Sequence, residues 1–164
     1  MTHVDEWARA KQLADIAIRR AESERGYVYD CLGVLHYGIG HRLLPEELLR
    51  LKRGDPVEIE QVNAAYKFDM EQAYRAVVRV HVRYPADMKA ERLAVLLEMA
   101  FCLGEDGLNG FKLMLRDVGF ENWQGAADEI LDSVWYRKQG AQVLAIAARV
   151  DRLALQMRVG EVTV

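Results

Sequence analysis

Four side chains between positions 22 and 36 could do chemistry together. Glu22 closes a segment with helical periodicity, and Asp30, Cys31 and His36 follow in a glycine-punctuated segment rich in β-prone residues. A glutamate can give up a proton as a general acid, and an imidazole can act as a general base near neutral pH or attack carbon directly. The change of period predicts a helix that runs into a hairpin, and this junction is the candidate functional site.

Glu22 is followed by Tyr29 seven positions later and by Cys31 nine positions later, and residues 36–41 read HYGIGH. This arrangement resembles the active-site region of the T-even-type phage lysozymes, glycoside hydrolase family twenty-four. In that family a helix ends in the catalytic glutamate, an aromatic residue and then Asp or Cys follow at these spacings, and a strand reads Thr-x-Gly-x-Gly-His. This chain is one residue short between the two halves. If the missing residue falls before the second catalytic position, Asp30 occupies that position. If it falls in the hairpin turn, Cys31 occupies it.

Two further segments extend the resemblance across most of the chain. Residues 98–111 (EMAFCLGEDGLNGF) are close to the family pattern Asn-Met-x-Phe-x-x-Gly-x-x-Gly-x-x-Gly-Phe, and residues 123–136 contain Trp-x-x-Ala-Ala and then Ser-x-Trp-Tyr. The resemblance implies an α+β, mostly helical, lysozyme-like fold. In such a fold a small lobe with an antiparallel hairpin sheet is joined by a long helix to a helical lobe.

The activity implied by the resemblance is hydrolysis of the β-1,4 bond between N-acetylmuramic acid and N-acetylglucosamine in bacterial peptidoglycan, as in a phage or prophage endolysin. This reaction needs a proton for the departing oxygen and a group that stabilises positive charge or delivers water. Glu22 is the expected proton donor. We expect Asp30 to be its partner, with Cys31 as the rival, because a neutral thiol stabilises positive charge less well than a carboxylate. The expected substrate contacts are Phe101, Gly40, Arg42 and Glu129.

His36 stands where the family has a threonine that hydrogen-bonds the attacking water of an inverting mechanism. We expect His36 to activate water, and a covalent or retaining route is also open to an imidazole. Two other departures concern the arginine that pairs with the catalytic glutamate in the family. This chain has Gln142 at the matching position, seven residues after Trp135, and Cys102 replaces a polar residue that helps to hold that arginine.

The alternative is a catalytically degenerate lysozyme fold used as a glycan-binding or structural module. The shortened motif and Gln142 favour it. The formal charge of −3 also favours it, because enzymes of the family often carry an excess of Lys and Arg that draws them to the anionic wall. A third interpretation, an unrelated helical interaction protein, must treat three separate motif matches as chance.

Composition predicts a single compact domain over residues 1–164. With 51% hydrophobic residues the chain can bury a sizeable core, and no apolar run approaches the roughly 18–20 residues of a membrane span. The acidic net charge disfavours nucleic acid as a partner. Two cysteines and four histidines in no metal-binding pattern predict free thiols and no metal site, and the resemblance implies that no cofactor is needed.

The start of the chain is too charged for the apolar region of a secretory signal. We therefore expect a protein made in the host cytoplasm that acts in the periplasm or cell wall after release. A holin, lysis, or a tail or secretion apparatus would deliver it. The expected partner is peptidoglycan, the expected state is a monomer, and no membrane insertion is expected.

The periodicity places the first half of the chain on three elements. A helix from about Val4 to Glu22 leads into the hairpin lobe, at about 23–55, and a connecting helix follows at about 57–84. Asp55 and Pro56 have the residue types of an N-cap and a first helical position, so they are the expected start of that helix.

The second half is predicted to be a helical lobe, at about 86–157, to which the first helix also belongs. An almost wholly apolar helix is expected from about residue 88 to its end at Gly104, and such a helix is usually central to a core. The final helix is expected from Ala141 to about Met157, with Leu153 or Leu155 facing inward.

Asp69 of the connecting helix is expected to pair with His41, as the resemblance implies. The role of the pair would be structural, because it would tie the hairpin to the helix and raise the pKa of the histidine.

Overall fold

The computed structural model describes residues 3–140 and 143–163. Its elements are α1 (His3–Ala21), β1 (Arg25–Cys31), β2 (Val34–Gly38), β3 (His41–Arg42), α2 (Pro45–Leu48), α3 (Ile59–Arg83), α4 (Ala90–Asn109), α5 (Lys112–Gly119), α6 (Trp123–Leu131), a π-helical turn (Trp135–Gly140) and α7 (Leu144–Val159). The structure is 68% helical with one antiparallel sheet in the order β1-β2-β3, which confirms the α+β, mostly helical class. Among the described helices, none is long and apolar enough to cross a lipid bilayer.

Helix α1 ends one residue before Glu22, as the change of hydrophobic period predicts. Ala10, Ala14 and Ile18 recur at four-residue spacing, and each is at most 1% exposed. One face of α1 is therefore fixed against the core, and this face leads directly to Glu22.

Strands β1 and β2 form a hairpin with a two-residue turn, Leu32 and Gly33. Both turn residues have positive φ, 54° and 81°, which is the backbone of a tight hairpin turn. Cys31 pairs with Val34 directly across the turn. Strand β3 extends the sheet beyond β2, and α3 packs against both of these strands. The sheet is therefore attached to the rest of the molecule through α3.

Helix α3 begins at Ile59, so the prediction that Asp55 caps it is wrong. Its N-cap is Glu58, and the segment before it is paired with the sheet instead. Pro56 forms an antiparallel bridge with Tyr27, and the flanking backbone groups bond to β1 at 2.8–2.9 Å. Tertiary pairing with β1 therefore delays the start of the helix by three residues.

Helix α4 is the centre of the hydrophobic core. Every side chain from Ala90 to Ala100 is buried, and α1, α3 and α7 pack around the helix. The end predicted at Gly104 is instead a kink, where φ is 71° and ψ is 176°, and α4 continues to Asn109. Glycine adopts this backbone without the strain that a side chain would add.

The last helix begins at Leu144, three residues after the predicted start at Ala141, which lies outside the described residues. The π-helical turn and Val143, whose backbone is extended, separate α7 from α6. Of the two leucines expected to compete for the core, Leu153 is fully buried and Leu155 is 47% exposed.

The predicted pair of His41 and Asp69 is present, and it includes a third partner. His41 is 3% exposed, its Nδ1 lies 2.8 Å from Asp69 Oδ2, and its Nε2 lies 3.0 Å from Glu47 Oε2. Glu47 also accepts hydrogen bonds from the Tyr37 hydroxyl at 2.7 Å and the Leu44 backbone N–H at 2.8 Å. The imidazole therefore ties β3 to both α2 and α3.

The two carboxylates favour the protonated imidazolium of His41. Burial lowers the pKa of His41, but hydrogen bonds and charges of Asp69 and Glu47 outweigh it, so the pKa is raised above 6.5. Burial raises the pKa of Glu47, but its hydrogen bonds from Leu44, His41 and Tyr37 outweigh it, so that pKa is lowered below 4.5.

These two shifts define a pH window for stability. A raised histidine pKa contributes stability that is complete below the unfolded pKa and is lost as pH rises through the folded pKa. A lowered glutamate pKa contributes stability that is complete above the unfolded pKa and is lost as pH falls through the folded pKa. The triad of His41, Asp69 and Glu47 therefore contributes most between about pH 4.5 and pH 6.5.

We expect His41→Gln to lower the free energy of unfolding by about 3 kcal/mol, because it leaves two largely enclosed carboxylates without their cation. The difference from wild type should be largest at about pH 5–6 and should decrease at higher and lower pH. Urea unfolding followed by circular dichroism at several pH values measures this difference.

Glu71→Gln is the matched control, because it removes an exposed ion pair with Arg75 on the same helix α3. It should change the free energy of unfolding by less than about 0.5 kcal/mol at any pH. A constant difference for His41→Gln across the pH range would contradict a charged triad.

Candidate active site

Glu22 lies where α1 meets the hairpin. Its backbone N–H still donates to the Ile18 carbonyl at 2.8 Å, so the backbone of Glu22 continues the last helical turn. The side chain is 24% exposed, and its Oε1 accepts a hydrogen bond from Arg149 Nη2 at 2.7 Å. A partly exposed carboxyl group held by a largely buried arginine is both accessible to a ligand and fixed in orientation.

Arg149 pairs with Glu22 although Gln142 stands at the position where the family has its arginine. The position expected to supply it, Gln142, lies outside the described residues. The guanidinium comes instead from α7, fourteen residues after Trp135 rather than seven. Arg149 therefore forms an ion pair with Glu22 although its spacing from Trp135 differs from the family motif.

Arg149 also connects Glu22 to α4. Its Nη1 donates to Cys102 Sγ at 2.9 Å, and its Nε lies 3.5 Å from Glu98 Oε1, which also accepts from Arg152. Burial lowers the pKa of Arg149, but Cys102, Glu22 and Glu98 together raise it, so the guanidinium is charged. Burial raises the pKa of the Cys102 thiol to about 12, so the thiol is neutral at physiological pH.

Strand alternation separates the two candidates for the second catalytic position. Tyr29 pairs with His36 across the hairpin, and their rings stack with centroids 5.7 Å apart. Cys31 is two residues beyond Tyr29 and shares its face, whereas Asp30 belongs to the opposite face. Asp30 is exposed, and its Oδ1 accepts from the Gly33 backbone N–H at 3.1 Å, which stabilises the turn.

The face with Tyr29 is the one that feels the charge of Glu22. Burial is the largest cause that raises the pKa of Tyr29 to about 12, and the charge of Glu22 is the next. The same charge acts on His36. Glu22 is therefore close enough to Tyr29 and His36 for its charge to act on both, and strand alternation places Cys31 on the same face of β1 as Tyr29.

A backbone hydrogen bond fixes the tautomer of His36. Its Nδ1 lies 2.9 Å from the Val34 carbonyl oxygen, and a carbonyl only accepts, so Nδ1 carries the proton. Burial is the main cause that lowers the pKa of His36 below 6.5, although Val34 and Glu22 act in the opposite direction. At neutral pH the ring is therefore neutral, with Nε2 as a proton acceptor.

Gly40 forms the wall of the site next to Glu22. Its φ is +72°, and a Cβ at this position would lie 3.1 Å from Glu22 Cδ. A side chain here would strain the backbone and crowd the carboxyl group. Gly40 therefore allows the hairpin to approach the end of α1 closely.

The structure places the other predicted substrate contacts on separate elements. Phe101 is partly buried and packs edge-on against Tyr66, with ring centroids 5.8 Å apart. Arg42 is exposed on β3. Glu129 lies on α6 and lines a pocket of about 360 Å³ together with Phe111 and Ser133. Of the four predicted contacts, only Gly40 has a described contact with Glu22.

No protein-family model matches this chain. Within residues 3–140 and 143–163, no group of three or more His, Cys, Asp or Glu side chains is placed to hold a metal ion.

The sequence prediction missed Arg149, Arg152 and Glu98. The two arginines are three residues apart and therefore lie on one face of a helix, so their spacing was the available signal for a partner of Glu22. Glu98 interrupts an apolar run, which marks it as a buried acid in need of a cation.

We expect one of the two cysteines to react with Ellman's reagent in the native protein. Cys31 is exposed, whereas Cys102 is less accessible and its raised pKa disfavours the reactive thiolate. One equivalent should therefore react rapidly at about pH 8, and two should react in denaturant.

Cys31→Ser should abolish the rapid phase, and Cys102→Ser should leave it unchanged. Rapid reaction of both thiols in the folded protein would contradict the enclosure of Cys102 beside Arg149.

Proposed function

We propose that the protein is a muramidase that hydrolyses the β-1,4 bond between N-acetylmuramic acid and N-acetylglucosamine in peptidoglycan. It would be an endolysin-type enzyme of a phage or prophage, released to the periplasm or wall by a holin, by lysis or by a delivery apparatus. The observation that carries the proposal is the Glu22–Arg149 pair where α1 meets the hairpin, next to Gly40. His36 is close enough for the charge of Glu22 to act on it. The resemblance of residues 22–41 to a lysozyme active site supports the same reaction.

Glu22 is the proton donor in this proposal. Its partial exposure lets the carboxyl group reach a glycosidic oxygen, and the hydrogen bond from Arg149 fixes its direction. When the proton leaves, Arg149 balances the carboxylate that forms. The positive charge of Arg149 therefore stabilises the negative charge that Glu22 acquires during the reaction.

His36 is the proposed base. Because Nδ1 donates to Val34, the neutral ring presents Nε2, which can accept a proton from water as that water attacks the anomeric carbon. Attack opposite to the leaving oxygen inverts the anomeric configuration. Direct attack by Nε2 would instead form a covalent intermediate that water then cleaves with overall retention.

The geometry favours Cys31 over Asp30 as the side chain that flanks the bound sugar. Asp30 lies on the opposite strand face, and its Oδ1 is engaged by Gly33, so its position gives no support to a catalytic role. A thiol supplies no fixed negative charge, so the proton-accepting role falls to His36.

The competing proposal is a degenerate glycan-binding module. Gln142 no longer favours it, because Arg149 provides the expected cation at Glu22. The net charge of −3 still favours it, since an acidic protein is not drawn to an anionic wall.

We expect the wild-type protein to clear suspensions of outer-membrane-permeabilised Gram-negative cells. Glu22→Gln should slow clearing by about 100-fold or more, because it removes the proton donor at almost unchanged volume. Turbidity loss at equal protein concentration measures both rates.

Glu24→Gln, an exposed glutamate two residues away, is the matched control and should clear normally. If neither wild type nor Glu22→Gln clears cells while both bind purified peptidoglycan, the binding module replaces the enzyme.

We expect His36→Gln to lower kcat by about 100-fold, because no base then accepts the proton of water. In the wild type, a ring protonated at low pH cannot act as a base, so the rate should fall below a midpoint that lies under pH 6.5. Initial rates on soluble glycan fragments, measured across pH, give this fall in rate at low pH. NMR of the first anomer formed distinguishes inversion from retention of the anomeric configuration. An acid limb that persists unchanged in His36→Gln would assign the base to another group.

A further inference from the structure

Glu98 contacts the same guanidinium group as Glu22. Its side chain is 2% exposed, and its Oε1 lies 3.5 Å from Arg149 Nε while accepting a hydrogen bond from Arg152. Glu22 accepts from Arg149 Nη2 at 2.7 Å. Two carboxylates therefore share one guanidinium, and a second arginine holds the buried one.

Three titratable groups near this cluster carry no charge near neutral pH. Cys102 of α4 accepts from Arg149, and its thiol is neutral because burial raises its pKa to about 12. Tyr29 of β1 has its pKa raised to about 12, chiefly by burial. His36 of β2 has its pKa lowered, chiefly by burial. The charged members of the cluster are Arg149, Arg152 and Glu98, and the guanidinium of Arg25 on β1 lies nearby, 4.2 Å from the centre of the Tyr29 ring.

We propose that Glu98 is a positioning residue that sets how strongly Arg149 holds Glu22 in its ionised form. The inference rests on the proposed function to the extent that Glu22 must be protonated to act as an acid. An arginine paired with Glu22 alone would favour the carboxylate and oppose proton donation. Glu98 offsets part of that positive charge, since its Oε1 lies 3.5 Å from Nε without a hydrogen bond, while Nη2 donates to Glu22.

The charge is a feature of this chain, because Glu98 stands where the resembled pattern has an uncharged asparagine. The acid also has a structural requirement of its own, since a buried carboxylate must be paired. A test must therefore separate an electrostatic effect on Glu22 from a general loss of packing.

The sign of the charge provides this separation. Glu98→Gln removes a negative charge near Arg149, so Glu22 should titrate at lower pH, by about one pH unit. Arg152→Gln removes a positive charge from the same cluster, so Glu22 should titrate at higher pH. A purely structural role predicts no such opposition, because loss of packing does not depend on the sign of the charge removed.

The direct measurement is the titration of the Glu22 carboxyl carbon by NMR in ¹³C-glutamate-labelled protein, with Glu22→Gln used to assign the signal. The second measurement is the basic limb of the pH–rate profile on peptidoglycan, which should move in the same direction as the titration midpoint in each variant. Arg152→Lys keeps the positive charge and should restore a midpoint close to that of the wild type.

Glu91 and Arg9 provide a matched control pair. Glu91 is a buried acid on the same helix α4, ion-paired with Arg9 at 2.6 Å, and neither residue belongs to the cluster around Arg149. Glu91→Gln and Arg9→Gln should leave the titration of Glu22 unchanged. Thermal unfolding and near-UV circular dichroism establish that each variant is folded. If Glu98→Gln does not fold, Arg152→Gln compared with Arg152→Lys still tests the proposal.

Opposite shifts of the Glu22 midpoint in Glu98→Gln and Arg152→Gln support the inference. Equal shifts, or none, overturn it. If the wild type has no activity on peptidoglycan but the midpoints move in opposite directions, the proposed function fails while the coupling of Glu98 to Glu22 stands.

Discussion

The hydrogen-bonded ion pair between Arg149 and Glu22 joins residues that are 127 positions apart in the chain. It brings the end of α1, the start of the hairpin and α7 to one place. Because Arg149 is largely buried, its charge must be matched locally, and the matching acids come from two different helices. The candidate site and the packing of the helices around it therefore depend on the same guanidinium group.

The apolar core determines where that group can lie. Helix α4 is buried along most of its length, so α1 and α7 pack against it from positions that the hydrophobic faces define. Several charged side chains inside this core are ion-paired, as Glu98 is with Arg152, while the buried Arg92 donates to backbone carbonyls. His41 joins β3 to α3 by a second set of paired charges. Ionic contacts therefore lie before β1, at Glu22, and on β3, at His41, while the core helices pack through apolar faces.

Periodicity predicted the features that depend on local sequence. The end of α1 next to Glu22 and the hairpin that follows it came from the change of period, whereas the pair of His41 with Asp69 came from the family resemblance. Asp55 was wrongly predicted as a helix cap, because the pairing of its segment with β1 outweighs a local capping preference. Arg149 was missed because it lies fourteen residues after Trp135 rather than at the motif spacing of seven, and 127 residues from Glu22 along the chain. Contacts between distant elements, such as Glu98 with Arg149, leave only weak signals in a single sequence.

The long sequence separation of the Glu22–Arg149 contact has a consequence for synthesis. Residues 3–48, which form α1, the sheet and α2, leave the ribosome well before α7 does, and domains acquire their tertiary contacts as the chain becomes available. Until residue 149 has emerged, the ion pair between Arg149 and Glu22 cannot form. During synthesis the hairpin segment is therefore available before the arginine that completes the site.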